Sequence, residues 1–375
     1  MPTSTAHRSA SAAPAPDWRR RLRAGQVIPA LPLALGRARR WDERSQRALV
    51  RYYVEAGAGG LAVGVHSTQF AIRDPGIGLY GPVLELAARE ARPSEGRRPA
   101  AAGAARGPSP AAPGSPAPIL IAGVIGRTRA AVSEARLARE LGYDAALLGL
   151  GAWSGESDAA MLRHCRCVAD ELPILGFYLQ EAAGGRPLGY RFWRQFAEIP
   201  NAVGVKIAPF NRYRTFDVVR AVLEAGRDEL ALYTGNDDNI IGDLLTRFTA
   251  GGRSRWMDGG LLGQWGIWTR AAVRLFGEIR RARSRPGLGP LWMERNAALT
   301  DANAAVFDPA HGFAGCLAGI QEVLRRQGLV RSAACLDPAE RLSSGQAAEL
   351  TRVTRAYPWL VDDDFVAANL DRWRS

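Results

Sequence analysis

Short apolar runs recur along the chain, separated by stretches whose apolar residues return every three to four positions. The runs are VIPALPLAL from Val27, GLAVGVHS from Gly60, ILIAGVI from Ile119, DAALLGL from Asp144, PILGFYL from Pro173, AVGVKIA from Ala202, ELALYT from Glu229 and DGGLLG from Asp258. They are continuous in apolarity rather than alternating, the form of strands buried on both faces. The amphipathic stretches predict helices over roughly 42–57, 78–92, 129–142, 156–171, 189–198, 214–227, 238–250 and 265–283. Eight strands alternating with eight helices predict a (β/α)8 barrel, the TIM-barrel fold, spanning 26–284. A doubly wound open sheet is the competing architecture. It usually carries a Gly-rich phosphate turn after its first strand, and LALGRARR (Leu33 to Arg40) is not one. Residues 285–375 read as a helical C-terminal region that packs, through Trp359 and Trp373, on the barrel or on a partner subunit.

Two segments fall outside this alternation. Residues 1–25 read as a disordered tail, and 93–118 as a flexible Pro/Ala/Gly-rich insertion with no aliphatic side chain larger than Ala. Neither buries enough apolar surface to offset the entropy of ordering. The insertion lies between the second helix and the third strand, on the barrel face opposite an active site. Half of the net charge of +12 resides in these segments: +4 in 1–25 and +2 in 93–118. The rest is spread thinly, so a nucleic-acid partner is not expected. No run is long enough for a membrane span, and the N-terminus lacks the apolar core of a secretory signal. A cytoplasmic protein is therefore expected. Cys165, Cys167, Cys316 and Cys335 have neither disulfide context nor zinc spacing, even with His164 adjacent, so no metal and no cofactor is expected.

The chain contains a single lysine, Lys206, and writes every other side-chain cation but histidine as Arg. It lies near the C-terminal end of the sixth predicted strand, where a barrel opens on its active site. Arg keeps its proton, whereas a desolvated Lys loses it and attacks carbonyls. A lysine reaching from a strand end to solvent is the alternative. The exception to an Arg habit, placed in an apolar strand, favours a catalytic nucleophile.

With Gly204-Val205-Lys206 on that strand, the chain resembles the pyruvate-dependent class I aldolases typified by dihydrodipicolinate synthase and N-acetylneuraminate lyase. The resemblance covers about residues 27–355 and includes the helix GCLAGIQEVLRRQGL, Gly315 to Leu329. It implies a (β/α)8 barrel, commonly a tetramer, in which Lys206 forms an imine with pyruvate or a related 2-oxo acid. It also implies a tyrosine proton shuttle at the end of the fifth strand. Tyr178 is taken for it, although counting forward from Pro173 selects Phe177 and a bulge is then required. Where the family holds the pyruvate carboxylate, this chain reads Val65, His66, Ser67, Thr68, Gln69. His66 is the additional candidate acid or base, expected to titrate near neutrality, or else a structural histidine. Ser67 and Thr68 keep hydroxyls beside the carboxylate, with Val65 supplying backbone.

Other residues fall at the barrel mouth. Asn236 and Gln264 are candidate substrate contacts, Asp237 either lines the rim or caps the seventh helix, Trp265 is read as packing, and Arg212 or Arg214 as a carboxylate clamp or exposed helix-start charges. The family's second tyrosine would fall in GAWS (Gly151 to Ser154) and is missing. Its arginine would fall in AAGG (Ala182 to Gly185) and is also missing, although Arg186 follows. The expected activity is a carbon–carbon or carbon–oxygen lyase forming a Schiff base, an aldolase or a dehydratase/synthase. A ligand-binding or regulatory protein of the same fold that has lost turnover is the alternative.

Overall fold

The computed structural model describes residues 17–92 and 116–375. Residues 1–16 and 93–115, which hold most of the expected tail and insertion, lie outside the described residues. All eight predicted runs form parallel strands of one barrel: Val27–Pro29, Gly60–Val63, Ile119–Val124, Ala145–Gly149, Ile174–Leu179, Ala202–Ala208, Ala231–Thr234 and Gly259–Leu262. Each pairs with the next in chain order from the second strand to the eighth. The eighth pairs with the first, Ile28 opposite Leu261. Closure between first and second strands rests on a bridge from Ala30 to Ala62 and a 2.8 Å bond from the Leu31 amide to the Ala62 carbonyl. The fold is the TIM barrel expected, with both strand faces apolar because one fills the barrel and the other meets the helices. Ile28, Ala62, Ile121, Leu147, Leu175 and Leu261 belong to the inner cluster. The larger outer cluster joins the strands to the helix layer.

Seven of the eight interstrand helices fall close to their expected bounds, among them Glu43–Ala56, Tyr190–Phe196 and Arg212–Ala225. The seventh differs. Only Ile240–Leu245 is helical, and Phe248–Ala250 then pairs antiparallel with Arg253–Arg255. Gly251 and Gly252, both at positive φ, make the turn. Thr246, Phe248 and Thr249 suit a strand better than a helix.

Residues 17–25, expected to be disordered, are folded. Asp17–Arg23 is a helix across the N-terminal end of the barrel. Leu22 joins the inner cluster, and its carbonyl accepts a 2.7 Å hydrogen bond from the Tyr233 hydroxyl. Arg19 donates to Asn201, and Arg23 pairs with Asp258. The arginine-rich composition hid one well-placed apolar anchor, Leu22, and side-chain partners far away in sequence.

The C-terminal helices Leu291–Phe307, Cys316–Arg326, Gln346–Ala356 and Asp363–Arg374 pack on the barrel's outer layer. Trp373 is buried 5.5 Å from Tyr52. Buried Asp362 is the fastening point. It accepts hydrogen bonds from the Tyr52 hydroxyl at 2.7 Å, the Arg270 amide at 2.8 Å and Gln327 Nε2 at 2.8 Å. Among the described residues no helix is long and apolar enough to cross a membrane.

Candidate active site

Lys206 sits on the sixth strand with only 7% of its surface exposed. Its ammonium lies over the Phe177 ring, 4.4 Å from the centroid. Among the described residues it makes no salt bridge, and Asp237 is the carboxylate that acts on it through space. Burial lowers its pKa from the ordinary 10.5 to about 8, with the Asp237 charge opposing that fall. Burial raises Asp237 in turn, to about 7, against the Gln264 amide that bonds its carboxylate at 3.1 Å and the positive charge of Lys206. The two groups therefore approach one another in acidity inside the barrel mouth, where both are buried. Gly235 keeps the lysine's space open. A Cβ there would stand 2.7 Å from Lys206 Cε and 2.8 Å from Ala208 Cβ.

The fifth strand brings Phe177, not Tyr178, to the lysine. Phe177 is the pairing partner of Lys206, and Tyr178 that of Ile207. Successive side chains of a strand point to opposite faces. Tyr178 accordingly joins the outer cluster, 5.4 Å from the Trp193 ring, with its hydroxyl accepting from the Leu188 amide at 3.1 Å. The expected bulge exists, but in the sixth strand. Ile174 pairs with Ala202 and Leu175 with Gly204, so Val203 is the extra residue. Without it the register would set Tyr178 beside Lys206; with it, pairing slips by one and Phe177 takes the place.

The loop after the second strand carries His66 and Ser67 into the same mouth. His66–Thr68 is a single 3₁₀ turn. The first amides of such a turn have no partner within it, and those of His66 and Ser67 make no backbone hydrogen bond among the described residues, which leaves them available as donors. The hydroxyls are engaged otherwise. Thr68 Oγ1 donates to the Leu31 carbonyl at 2.6 Å and accepts from the Gly64 amide at 3.0 Å and the Val65 amide at 3.2 Å, while Ser67 Oγ donates to Leu31 at 3.4 Å. Val65 and Thr68 shape the loop rather than offer groups to a ligand. His66 does not titrate near neutrality: burial and the nearby Lys206 charge depress its pKa to about 4, leaving a neutral imidazole that stacks edge-on against Phe70 at 5.9 Å. Gln69, at φ 67°, ties this loop to the C-terminal region by accepting the Leu336 amide at 2.6 Å.

The remaining candidates divide. Asn236 is fully buried, its amide group occupied by the Phe210 amide, Thr215 and Asp243. It belongs to the framework holding the sixth and seventh strand ends. Arg212 pairs with Asp243, and Arg214 with Glu181, so neither extends as a clamp into the barrel. Gln264 lines the mouth with a side chain that makes no hydrogen bond among the described residues, and Trp265 packs against Phe276. Of the two places open to Asp237, the rim is the one it takes. Asn239, not Asp237, occupies the N-cap position of the Ile240–Leu245 helix, and the Asp237 carboxylate turns to the eighth strand and the lysine. Its position after the seventh strand was legible in TGNDD; its orientation depends on a partner 27 residues away. Cys165, Cys167 and His164 lie elsewhere: Cys165 is buried under the Asp158–Ala169 helix face, Cys167 is exposed, and His164 Nδ1 bonds Thr128. Cys316 lies nearer the site, its thiol pushed up by burial and by the Asp237 charge.

No protein-family model matches the chain, and no curated protein matches it in sequence. Solved structures do match in fold. N-acetylneuraminate lyase from Fusobacterium nucleatum superposes with a TM-score of 0.66 at 16% identity, over 89% of this chain and 99% of that one. Dihydrodipicolinate synthase from Acinetobacter baumannii, solved with pyruvate, gives 0.68 at 18% identity, over 88% and 98%. A monomeric dihydrodipicolinate synthase variant gives 0.69 at 15% identity, over 90% and 98%. The chain thus shares, over nearly all of its length, the barrel and C-terminal helical fold of the N-acetylneuraminate lyase and dihydrodipicolinate synthase structures.

Proposed function

We propose that this protein is a Schiff-base-forming lyase acting on pyruvate or a related 2-oxo acid through Lys206. One observation carries the reading: the chain's single lysine is buried at the C-terminal end of the sixth strand with its pKa lowered to about 8. That shift raises the neutral fraction of the amine near neutral pH by roughly two to three orders of magnitude over an ordinary lysine. A neutral amine attacks the 2-oxo carbon; loss of water gives the imine, whose positive charge makes the neighbouring carbon acidic. The His66 and Ser67 amides suit the substrate carboxylate. Asp237 and neutral His66 are the titratable groups suited to take a proton from that carbon and return one. Chemistry on the second fragment, whether carbon–carbon or carbon–oxygen, follows from the enamine.

Borohydride reduction in the presence of pyruvate tests the reading. It should add one reduced pyruvate to the peptide containing Lys206 and none to Lys206→Arg. An unmodified Lys206 across a panel of 2-oxo acids would refute it.

A second reading has support in Phe177. It stands beside Lys206 where a phenol would otherwise serve as proton shuttle, which fits a binding protein that has lost turnover. Trapped imine without exchange of the substrate's C3 hydrogens into deuterated water would favour it.

A further inference from the structure

The helix Leu291–Phe307 meets the loop after the seventh strand along one face. Asn296, Thr300, Asn303 and Phe307 recur at spacings of four, three and four, the period of a single helical face. Asn296 Nδ2 donates to Asn239 Oδ1 at 3.0 Å, and its Oδ1 accepts the Gly242 amide at 2.9 Å. Thr300 Oγ1 donates to the Asp238 carbonyl at 2.7 Å, and Asn303 Nδ2 to the Asp237 carbonyl at 2.7 Å. The Phe307 ring closes the row: a Cβ added at Gly263 would stand 3.4 Å from it and 3.9 Å from Asp237 Oδ2. Asn303 is the least expected of the four. It is 3% exposed, and its Oδ1 is shut off from solvent without a partner among the described residues. Leaving half of a buried amide unsatisfied costs stability, and what the other half holds is the backbone of Asp237.

We infer that this C-terminal helix belongs to the reaction machinery: Asn303, with Thr300 and Asn296 behind it, is a positioning residue that points the Asp237 carboxylate at Lys206 and at the adduct formed on it. The inference rests, for its catalytic meaning, on the imine-forming reading of Lys206. Asp237 is held at two points. The Gln264 amide bonds one carboxylate oxygen at 3.1 Å, and Asn303 bonds the carbonyl of the same residue. Together they fix the peptide plane and the side chain, which leaves the carboxylate little freedom to swing away from the lysine. Phe307 adds an apolar wall near Oδ2, and exclusion of water there strengthens the field of the carboxylate at the amine. A group that moves a proton must stand within hydrogen-bond reach of the atom it serves. In the reaction the carboxylate takes the proton from the carbon next to the imine, the C–H electrons become the enamine double bond, and the iminium π electrons pass to nitrogen; the reverse returns the proton. The other titratable groups facing the pair are His66, beside Lys206, and Asp238 and Cys316, beside Asp237. Asn303 bonds none of them.

The single lysine makes the test direct. Full-length protein labelled with lysine carrying carbon-13 at Cε gives one lysine signal, and its NMR titration reads the Asp237 charge at Lys206 with no substrate present. Asp237→Asn should move that midpoint downward, because the carboxylate favours the ammonium. Asn303→Leu, which keeps the outline and removes the donor, should produce about half of that shift or more. The double variant should shift no further than Asp237→Asn alone. With pyruvate, Asn303→Leu should slow exchange of the C3 hydrogens into deuterated water by about tenfold or more, and slow borohydride trapping on Lys206 far less. Thr300→Val should move the midpoint in the same direction by a smaller amount, and Thr300→Ser, which keeps the hydroxyl, should restore it. A folded Asn303→Leu protein with the wild-type midpoint, or with a shift that adds to that of Asp237→Asn, would overturn the inference; so would an unmoved midpoint in Asp237→Asn. Should Asn303→Leu fail to fold, Thr300→Val decides by the same criterion. Midpoints that move as expected with no pyruvate trapped would sink the imine reading and keep the positioning role. Pyruvate trapped with an unmoved midpoint in Asn303→Leu would do the opposite.

Discussion

Gly235→Ala is the smallest change that should disable the lysine while leaving it in place. The new Cβ would lie 2.7 Å from Lys206 Cε, 2.8 Å from Ala208 Cβ and 3.1 Å from Lys206 Cγ. Carbon atoms in comfortable contact stand about 3.5–4.0 Å apart, so the side chain must retreat by roughly 1 Å. The Phe177 ring on one side and the bonded sixth strand on the other leave it little room. Misplacement of a reacting group by about 1 Å costs up to about 100-fold in rate, and overpacking a filled interior costs about 1–3 kcal/mol. Single-turnover trapping with pyruvate and cyanoborohydride should therefore slow by about 10–100-fold, with a melting temperature lower by a few degrees. Circular dichroism at the assay temperature separates the two effects. A folded Gly235→Ala protein trapping within threefold of wild type would show that Lys206 does not need its observed position.

Other substitutions probe the same site from different sides. Trapping by wild type should rise with pH through about 8 and then level, because the amine attacks only after losing its proton; a midpoint near 10 would contradict the desolvated lysine. Asp237→Asn should move that midpoint downward, since the carboxylate favours the ammonium, and an upward shift would reverse the assigned sign. Phe177→Tyr should speed exchange of pyruvate C3 hydrogens into deuterated water, read by NMR, by about tenfold or more; unchanged exchange would show that the position is not one from which a phenol can serve. Asp362→Ala strips the Tyr52 hydroxyl and the Arg270 amide of a buried partner and should cost about 3 kcal/mol in urea unfolding, with trapping preserved in the folded protein.

The barrel was legible because its signal is local. A largely apolar run of six to nine residues followed by an amphipathic helix repeats eight times, and each unit declares itself from its own composition. Lys206 was legible for a different reason, being the one departure from an arginine habit. The fit of Leu22 into the barrel end was not legible, because the hydroxyl that bonds its carbonyl, that of Tyr233, lies some two hundred residues away. The short seventh helix was obscured in the opposite way, its amphipathic pattern running on to Ala250 although Phe248–Ala250 pairs across the following Gly-Gly turn with Arg253–Arg255.

By itself, then, the sequence determined the strand order, the helix layer and the placement of a lone lysine at the barrel mouth. Periodicity and composition encode those features residue by residue. The tertiary structure decided what the lysine faces. One extra residue at Val203 shifts the sixth strand against the fifth so that Lys206 pairs with inward-facing Phe177, while alternation along the fifth strand puts Tyr178 in the outer layer. Asp237 became a partner because the Gln264 amide holds its carboxylate. Register and convergence depend on pairs distant in sequence, and no single stretch of the chain contains them.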